Sequence, residues 1–167
     1  EKKQKKQPNA YHLVTLDLLS ETTTSTEIPN LTNSNIYNLV NIGNNFLINA
    51  YTEGQEYLYF FHPSTRKVTE LSATKGFISS VEFIEKDTFS HILYLGLSIT
   101  EDKNSSFFLY KTDYSGNIIN IQSFPVIEDY IYHSARMSII DSSRALIIGT
   151  YNMIQNKYTD NLHSGLF

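Results

Sequence analysis

The chain has 167 residues, a formal net charge of −4, and neither cysteine nor tryptophan. The lack of cysteine excludes disulfides, thiolate metal sites and cysteine nucleophiles, and no apolar run approaches the roughly 18 residues that a membrane-spanning helix needs. Residues 1–6 carry four Lys and one Glu, which leaves the rest of the chain at −7. This acidic body lacks the basic footprint of a nucleic-acid-binding protein.

The composition predicts strands. Twelve Tyr and ten Phe accompany many β-branched residues, and these residue types fit pleated, half-buried surfaces. Residues 1–9 are predicted to form a flexible basic tail, because they are charged and close on Pro8-Asn9. Residues 10–167 are predicted to form one all-β repeat domain.

Short apolar runs separated by turn residues follow one another along this domain. The first run is Tyr11–Leu19, and the Thr-rich run Ser20–Glu27 after it is predicted to be a turn followed by an exposed strand. The further predicted strands are Ile36–Ile42, Phe46–Tyr51, Tyr57–Phe61, Lys67–Leu71, Phe77–Ile84, Ile92–Ser98, Phe107–Lys111, Ile118–Phe124, Tyr130–Ile140 and Ala145–Tyr151.

These runs repeat when the cycles are aligned. The second strands align as Phe46–Tyr51, Ile92–Leu97 and Leu146–Tyr151, and small or polar residues (Asn49, Gly96, Gly149) fall in or near register. The third strands align as LVTLD from Leu13, LYFFH from Leu58 and LYKTD from Leu109. The loop between the second and third strands is predicted to lengthen along the chain, from Thr52–Glu56 through Thr100–Ser106 to Asn152–His163.

Four strands in a period of roughly 40–50 residues resemble the blades of β-propeller repeat proteins. The resemblance predicts strands c and d of one blade at 10–30, blades at about 35–73 and 77–125, and an incomplete blade at 130–167. Glycine in a second strand is expected where inner strands crowd toward the central channel. The motifs of WD40, kelch and Asp-box blades are absent. The alternative is a β-sandwich or an open multi-sheet all-β domain made of the same meanders.

Propellers need about 4–8 blades to close a ring. The chain begins at a predicted third strand and breaks off inside another, so we expect a segment of a longer protein or a subunit completed by a partner. An open array with fewer blades exposes long sheet edges.

No residue pattern predicts a catalytic, cofactor or metal site. The five histidines form no close ligand pair, and the carboxylates, Glu82 among them, are assigned turn-forming or solubilising roles. Glycine-rich phosphate loops, calcium loops and Ser-centred nucleophile elbows are absent. Two features are weighed as binding surfaces: the loop Asn152–His163, where Met153, Ile154 and Tyr158 are the candidate partner-binding residues, and the aromatic runs Tyr130–Tyr132 and Tyr57–Phe61.

The leading functional hypothesis is a non-enzymatic binding or scaffold module that presents propeller loops to a protein or glycan partner. The alternative is a fragment of a carbohydrate-active propeller enzyme of glycoside hydrolase or lyase type. A cysteine-free chain rich in Asn, Tyr and Thr favours an extracytoplasmic location, in a bacterial periplasm or on a cell surface. Neither nucleic acid nor a cofactor is expected as a partner.

Overall fold

The fold is all-β. The structure is a computed structural model. It describes residues 10–29, 31, 34–73, 76–101, 104–124, 130–140, 144–153 and 162–166, and no helix occurs among them. The strands are β1 (Tyr11–Leu16), β2 (Thr23–Ile28), β3 (Asn35–Ile42), β4 (Asn45–Thr52), β5 (Gln55–His62), β6 (Lys67–Leu71), β7 (Phe77–Asp87), β8 (Ile92–Glu101), β9 (Asn104–Asp113), β10 (Ile118–Ser123), β11 (Tyr130–Ile139), β12 (Ala145–Met153) and β13 (Leu162–Leu166).

The strands form four separate antiparallel sheets. Each sheet is a meander in which neighbours in space are neighbours in sequence: β1-β2, β3-β4-β5-β6, β7-β8-β9-β10 and β11-β12-β13. The aligned second strands of the sequence repeat are β4, β8 and β12, and the aligned third strands are β1, β5 and β9. The prediction of an all-β fold made of antiparallel meanders is therefore confirmed.

The chain divides into two compact units. Unit 1 comprises Glu1–Glu53 and Tyr57–Leu71, and unit 2 comprises Gly54–Glu56 and Ser72–Phe167. Unit 1 thus holds β1 to β4, most of β5 and all of β6, and unit 2 holds β7 to β13. The assignment of residues 10–167 to one repeat domain stays a prediction.

In unit 1, the two-stranded sheet packs its inner face on the four-stranded sheet. Leu13 of β1 and Ile28 of β2 lie in one buried cluster with Ile48 and Ala50 of β4 and Phe61 of β5. The register pairs Leu13 with Thr26, so the neighbouring Val14 points to the opposite face of the hairpin. Only one face of this hairpin is buried.

In unit 2, aromatic rings fill the core between the sheets β7–β10 and β11–β13. Phe83 and Phe107 share a buried cluster with Met137 of β11 and Ile147 of β12. The Phe107 ring centroid lies 6.2 Å from that of Phe83 and 5.2 Å from that of Phe124. Tilted contacts at these distances are favourable aromatic geometry.

Gly96 accommodates one of these rings. It lies directly opposite Phe83 in the β7–β8 register, and a Cβ added at Gly96 would meet the Phe83 ring atoms Cε1, Cδ1 and Cζ at 2.3, 2.6 and 2.7 Å. The residue is therefore small because a cross-strand aromatic ring covers it. The sequence led us to expect that Gly96 allows close approach of strands at a central channel. The neighbour found at Gly96 is instead the side chain of Phe83.

The connections between second and third strands differ from the predicted series of lengthening loops. β4 joins β5 through the two residues Glu53 and Gly54, which both have positive φ (52° and 88°), as a type I′ hairpin turn requires. β8 joins β9 through residues 102 and 103, so the polar residues predicted to form the middle loop mainly extend these strands. The repeat lengthens because β7 and β8 have 11 and 10 residues, whereas β3 and β4 have eight each.

A β-bulge recurs in the first strand of three sheets. The register shifts at Tyr37 in β3, at Ser79 and Glu82 in β7, and at His133 in β11, each of which has no directly opposite partner. A bulge adds one residue to a strand and re-aims its side chain. The repeat thus extends to a backbone irregularity that the sequence alignment does not reveal.

Both faces of the two four-stranded sheets are buried at their centres. In β4 the four consecutive residues from Leu47 to Ala50 are buried, and in β8 the five from Leu95 to Ile99 are buried. Successive side chains of a strand point to opposite faces, so neither central strand has a solvent-facing side in this stretch.

Candidate functional site

Most of the predicted partner-binding loop Asn152–His163 lies outside the described residues, and its two ends belong to β12 and β13. Met153 is the last residue of β12, but its side chain is not described, and neither are Ile154 and Tyr158. Their role in binding a partner stays a prediction.

The outer strand of the first four-stranded sheet carries exposed apolar side chains. β3 is the edge of its sheet, and residues 35–39 are all exposed. Ile36, Tyr37 and Leu39 are large hydrophobic residues among them, and Tyr37 is 60% exposed. These exposed residues lie on both faces of the strand, with Ile36 and Leu39 on one face and Tyr37 on the other.

A tyrosine pair organises this surface. The bulge in β3 places the Tyr37 ring over that of Tyr51 in β4, with centroids 5.5 Å apart and planes 15° apart. Two stacked rings hold each other in place, and a tyrosine has only two side-chain torsions to restrain. The pair is therefore a pre-formed flat platform, of the kind that stacks on sugar rings or anchors protein side chains.

The two aromatic runs considered as binding surfaces in the sequence analysis differ from the Tyr37–Tyr51 pair. In Tyr57–Phe61, Leu58, Phe60 and Phe61 are fully buried, and Tyr57 and Tyr59 are half-buried and stacked on each other at 6.0 Å. This run is mainly core. The side chains of residues 130–132 are not described.

The turn of the β1–β2 hairpin exposes two leucines. The predicted strand Tyr11–Leu19 ends at Leu16 instead, because the Asp17 carboxylate accepts hydrogen bonds from the backbone N–H groups of Leu19 and Ser20, both at 2.9 Å. Leu18 is 84% exposed and Leu19 is 99% exposed. Hydrogen bonds from Ser20 and then Leu19 lower the pKa of Asp17 below its ordinary value.

Two further aspartates hold turns in unit 2. The Asp87 carboxylate accepts a hydrogen bond from the Ser90 hydroxyl, and this bond lowers the pKa of Asp87. Partial burial raises the pKa of Asp113, but bonds from the Asn117 side chain and from backbone N–H groups outweigh that effect and leave the pKa lowered. Asp17 and Asp113 align in the sequence repeat, and the carboxylate of each accepts backbone hydrogen bonds in the turn that follows its strand.

Glu82 is buried, in contrast to the solubilising role predicted for it. It is the extra residue of a bulge in β7, and its carboxylate accepts a hydrogen bond of 2.8 Å from the Ser98 hydroxyl of β8. The Ser79 hydroxyl donates to the Ser98 carbonyl at 3.0 Å. From β11, Arg136 donates to the main-chain carbonyl of Glu82 at 2.6 Å. The bulge and these bonds fix the carboxylate in place.

The described part of the chain contains no group of three or more His, Cys, Asp or Glu residues that could hold a metal ion. Two of its histidines have structural contacts: His12 lies 3.2 Å from the Ser25 hydroxyl, and the His91 ring meets the Tyr114 ring edge-on at 5.4 Å.

No protein family model, no curated protein and no solved structure matches the chain. Within the described ranges, no helix is long and apolar enough to cross a membrane.

Sequence reasoning therefore missed three features: the Tyr37–Tyr51 platform, the exposed Leu18-Leu19 turn and the buried Glu82. The signal for the turn is Asp17 followed by Ser20, a turn-forming pattern inside an apolar run. The platform and the acid both depend on bulges, for which the sequence contains no comparable signal.

Proposed function

We propose that the chain is a non-enzymatic binding or scaffold module, built from β-propeller sheets, that presents an exposed surface to a protein or glycan partner. The observation that carries this proposal is the Tyr37–Tyr51 platform on the exposed edge strand β3. Tyr37 is 60% exposed, and exposed tyrosines are frequent anchors of interaction sites.

The propeller part of the proposal is supported by the two-sided burial of the central strands. Each sheet of a β-sandwich has one face on the core and one in solvent. β4 and β8 are buried on both faces, as expected for sheets that stand radially between neighbours. Four-stranded meanders are also the unit of propeller blades.

The chemistry of the platform favours partners with a flat or aliphatic surface. A tyrosine face stacks on the C–H groups of a sugar ring, and its hydroxyl bonds to polar groups at the rim. Ile36 and Leu39 pair with Ala50 and Ile48, so they lie on the other face of the sheet and do not extend the platform.

The proposal is tested by screening the purified chain on a glycan array and measuring the affinity for each hit by calorimetry. Tyr37→Ala is expected to weaken binding about tenfold or more, the scale of a hot-spot residue, while Tyr37→Phe retains most of it. Phe89→Ala is a matched control, because Phe89 is a fully exposed aromatic residue at a separate turn. Binding that is equally affected by Phe89→Ala would argue against the platform.

A carbohydrate-active enzyme is the second candidate, and the buried Glu82 carboxylate favours it. A glycosidase uses a pair of carboxyl groups on opposite sides of the scissile bond, and Glu82 would be one of them. Turnover of a glycan that Glu82→Gln abolishes, with binding retained, would establish the enzyme and refute the non-enzymatic reading.

A further inference from the structure

The outer face of the β1–β2 hairpin bears a continuous apolar stripe. Val14 and Leu16 alternate on the face opposite the buried Leu13, and both are more than half exposed. The stripe continues beyond the strand into Leu18 and Leu19 of the turn, which are almost fully exposed. The other strand places Ser25 opposite Val14 and Thr23 opposite Leu16, so small polar residues border the stripe.

The turn at the end of the stripe is fixed by its own hydrogen bonds. The Asp17 N–H donates to the Thr22 carbonyl at 2.9 Å, and the Asp17 carboxylate accepts from two further N–H groups of the turn. The hydroxyl oxygens of Ser20 and Thr22 lie 2.8 Å apart. Leu18 and Leu19 are thus presented on an ordered backbone, which reduces the entropy lost when a partner binds them.

The charged residues of the hairpin itself have one sign. Residues 10–29 contain three acidic residues, Asp17, Glu21 and Glu27, and neither Lys nor Arg. Asp17 directly precedes the two leucines and Glu21 follows them after Ser20, and both acidic residues are exposed. A partner that buries the leucines brings its own rim against these carboxylates, so a basic rim is complementary and an acidic rim is repelled.

We propose that the β1–β2 hairpin docks into a protein whose binding surface is an apolar pocket rimmed by Lys or Arg. The proposal names a partner class for the binding role given above, and rests on that role, but it uses a surface other than the tyrosine platform. An anionic membrane is disfavoured as the occupant, because its surface repels the two carboxylates beside the leucines.

The test uses synthetic amphipathic helices as probes. One fluorescent peptide of Leu and Lys supplies an apolar face with a basic rim, and a second peptide of Leu and Glu supplies the same face with an acidic rim. Fluorescence anisotropy is expected to show binding of the Leu/Lys peptide that is at least tenfold tighter than that of the Leu/Glu peptide. The difference is expected to shrink as salt is raised, because exposed charges are screened.

Three variants locate the binding. The double variant Leu18→Ser/Leu19→Ser is expected to lose binding about tenfold or more while unfolding at the same urea concentration, since both side chains are exposed. Asp17→Asn/Glu21→Gln keeps the turn acceptor oxygen and is expected to lose the preference for Lys over Glu. Phe89→Ser, an equally exposed apolar residue of unit 2, is expected to leave binding unchanged.

Four results would overturn the proposal. They are equal affinity for the two peptides, binding unaffected by the double leucine variant, an equal loss in Phe89→Ser, and a dimer of the chain that the double leucine variant dissociates. Tyr37→Ala is measured on the same peptide and is expected to have no effect. The proposal for the tyrosine platform and the proposal for the hairpin are therefore tested independently.

Discussion

Replacing Gly96 by Ala tests the packing between the two sheets of unit 2. The new Cβ would lie 2.3–2.7 Å from three atoms of the Phe83 ring, whereas carbon atoms pack favourably at about 3.5–4.0 Å. The ring cannot move away freely, because Phe83 is buried in a cluster with Phe107, Met137 and Ile147.

The expected cost follows from two opposing effects. Overpacking a filled core costs about 1–3 kcal/mol, and Ala in a strand interior is otherwise favoured over Gly by about 0.5–1 kcal/mol. We therefore expect Gly96→Ala to lower the free energy of unfolding by about 1–2 kcal/mol. Urea denaturation followed by far-UV circular dichroism measures this change, with tyrosine fluorescence as a second probe.

A double-mutant cycle with Phe83→Leu identifies the cause. Removing the ring relieves the clash, so Gly96→Ala is expected to cost at least 1 kcal/mol less in the Phe83→Leu background. Gly54→Ala is the control: nothing lies within 4 Å of its added Cβ, and its cost comes from a φ of 88° alone. Additive effects of Gly96→Ala and Phe83→Leu, or a Gly96→Ala chain at least as stable as the wild type, would refute the reasoning.

Two further predictions concern polar groups. The Thr112 hydroxyl is buried with no hydrogen-bond partner among the described residues, so Thr112→Val is expected to raise the free energy of unfolding by about 1 kcal/mol. Thr23→Val, at an exposed residue of β2, is the control, and destabilisation by Thr112→Val would contradict the prediction. Asp113→Ala is expected to lower the free energy of unfolding by about 1 kcal/mol at neutral pH, because the turn loses the hydrogen bonds that the Asp113 carboxylate accepts. Since folding lowers the pKa of Asp113, the stabilisation is present above the unfolded pKa of about 3.9 and is lost as pH falls through the folded value. The difference between wild type and Asp113→Ala in urea titrations from pH 7 to 3 should therefore shrink below about pH 4, and a constant difference would contradict this.

The strands and their order could be predicted from the sequence because apolar runs and turn residues are local signals. Asp113 to Asn117 closes a hairpin by bonds within five residues, and such chemistry is legible without the fold. The four-stranded meanders follow from repeating those signals.

The remaining features depend on contacts between residues distant in sequence. Glu82 and Tyr37 owe their placement to bulges, where one strand gains a residue relative to its neighbour. Gly96 is covered by the side chain of Phe83, which lies 13 positions earlier. The polar residues before Phe107 continue strand β9 because pairing with β8 supplies their backbone hydrogen bonds, and polarity alone predicts a loop there. The exposed leucines of the β1–β2 turn were hidden inside an apolar run.

The central claim, that these meanders are propeller sheets of a binding module, is tested most directly by a crystal structure of the protein. The account predicts a ring of four-stranded sheets around a central channel, in which neighbouring sheets cover the central strands β4 and β8 on both faces. Two facing layers, each with one side in solvent, would be a β-sandwich and would contradict it.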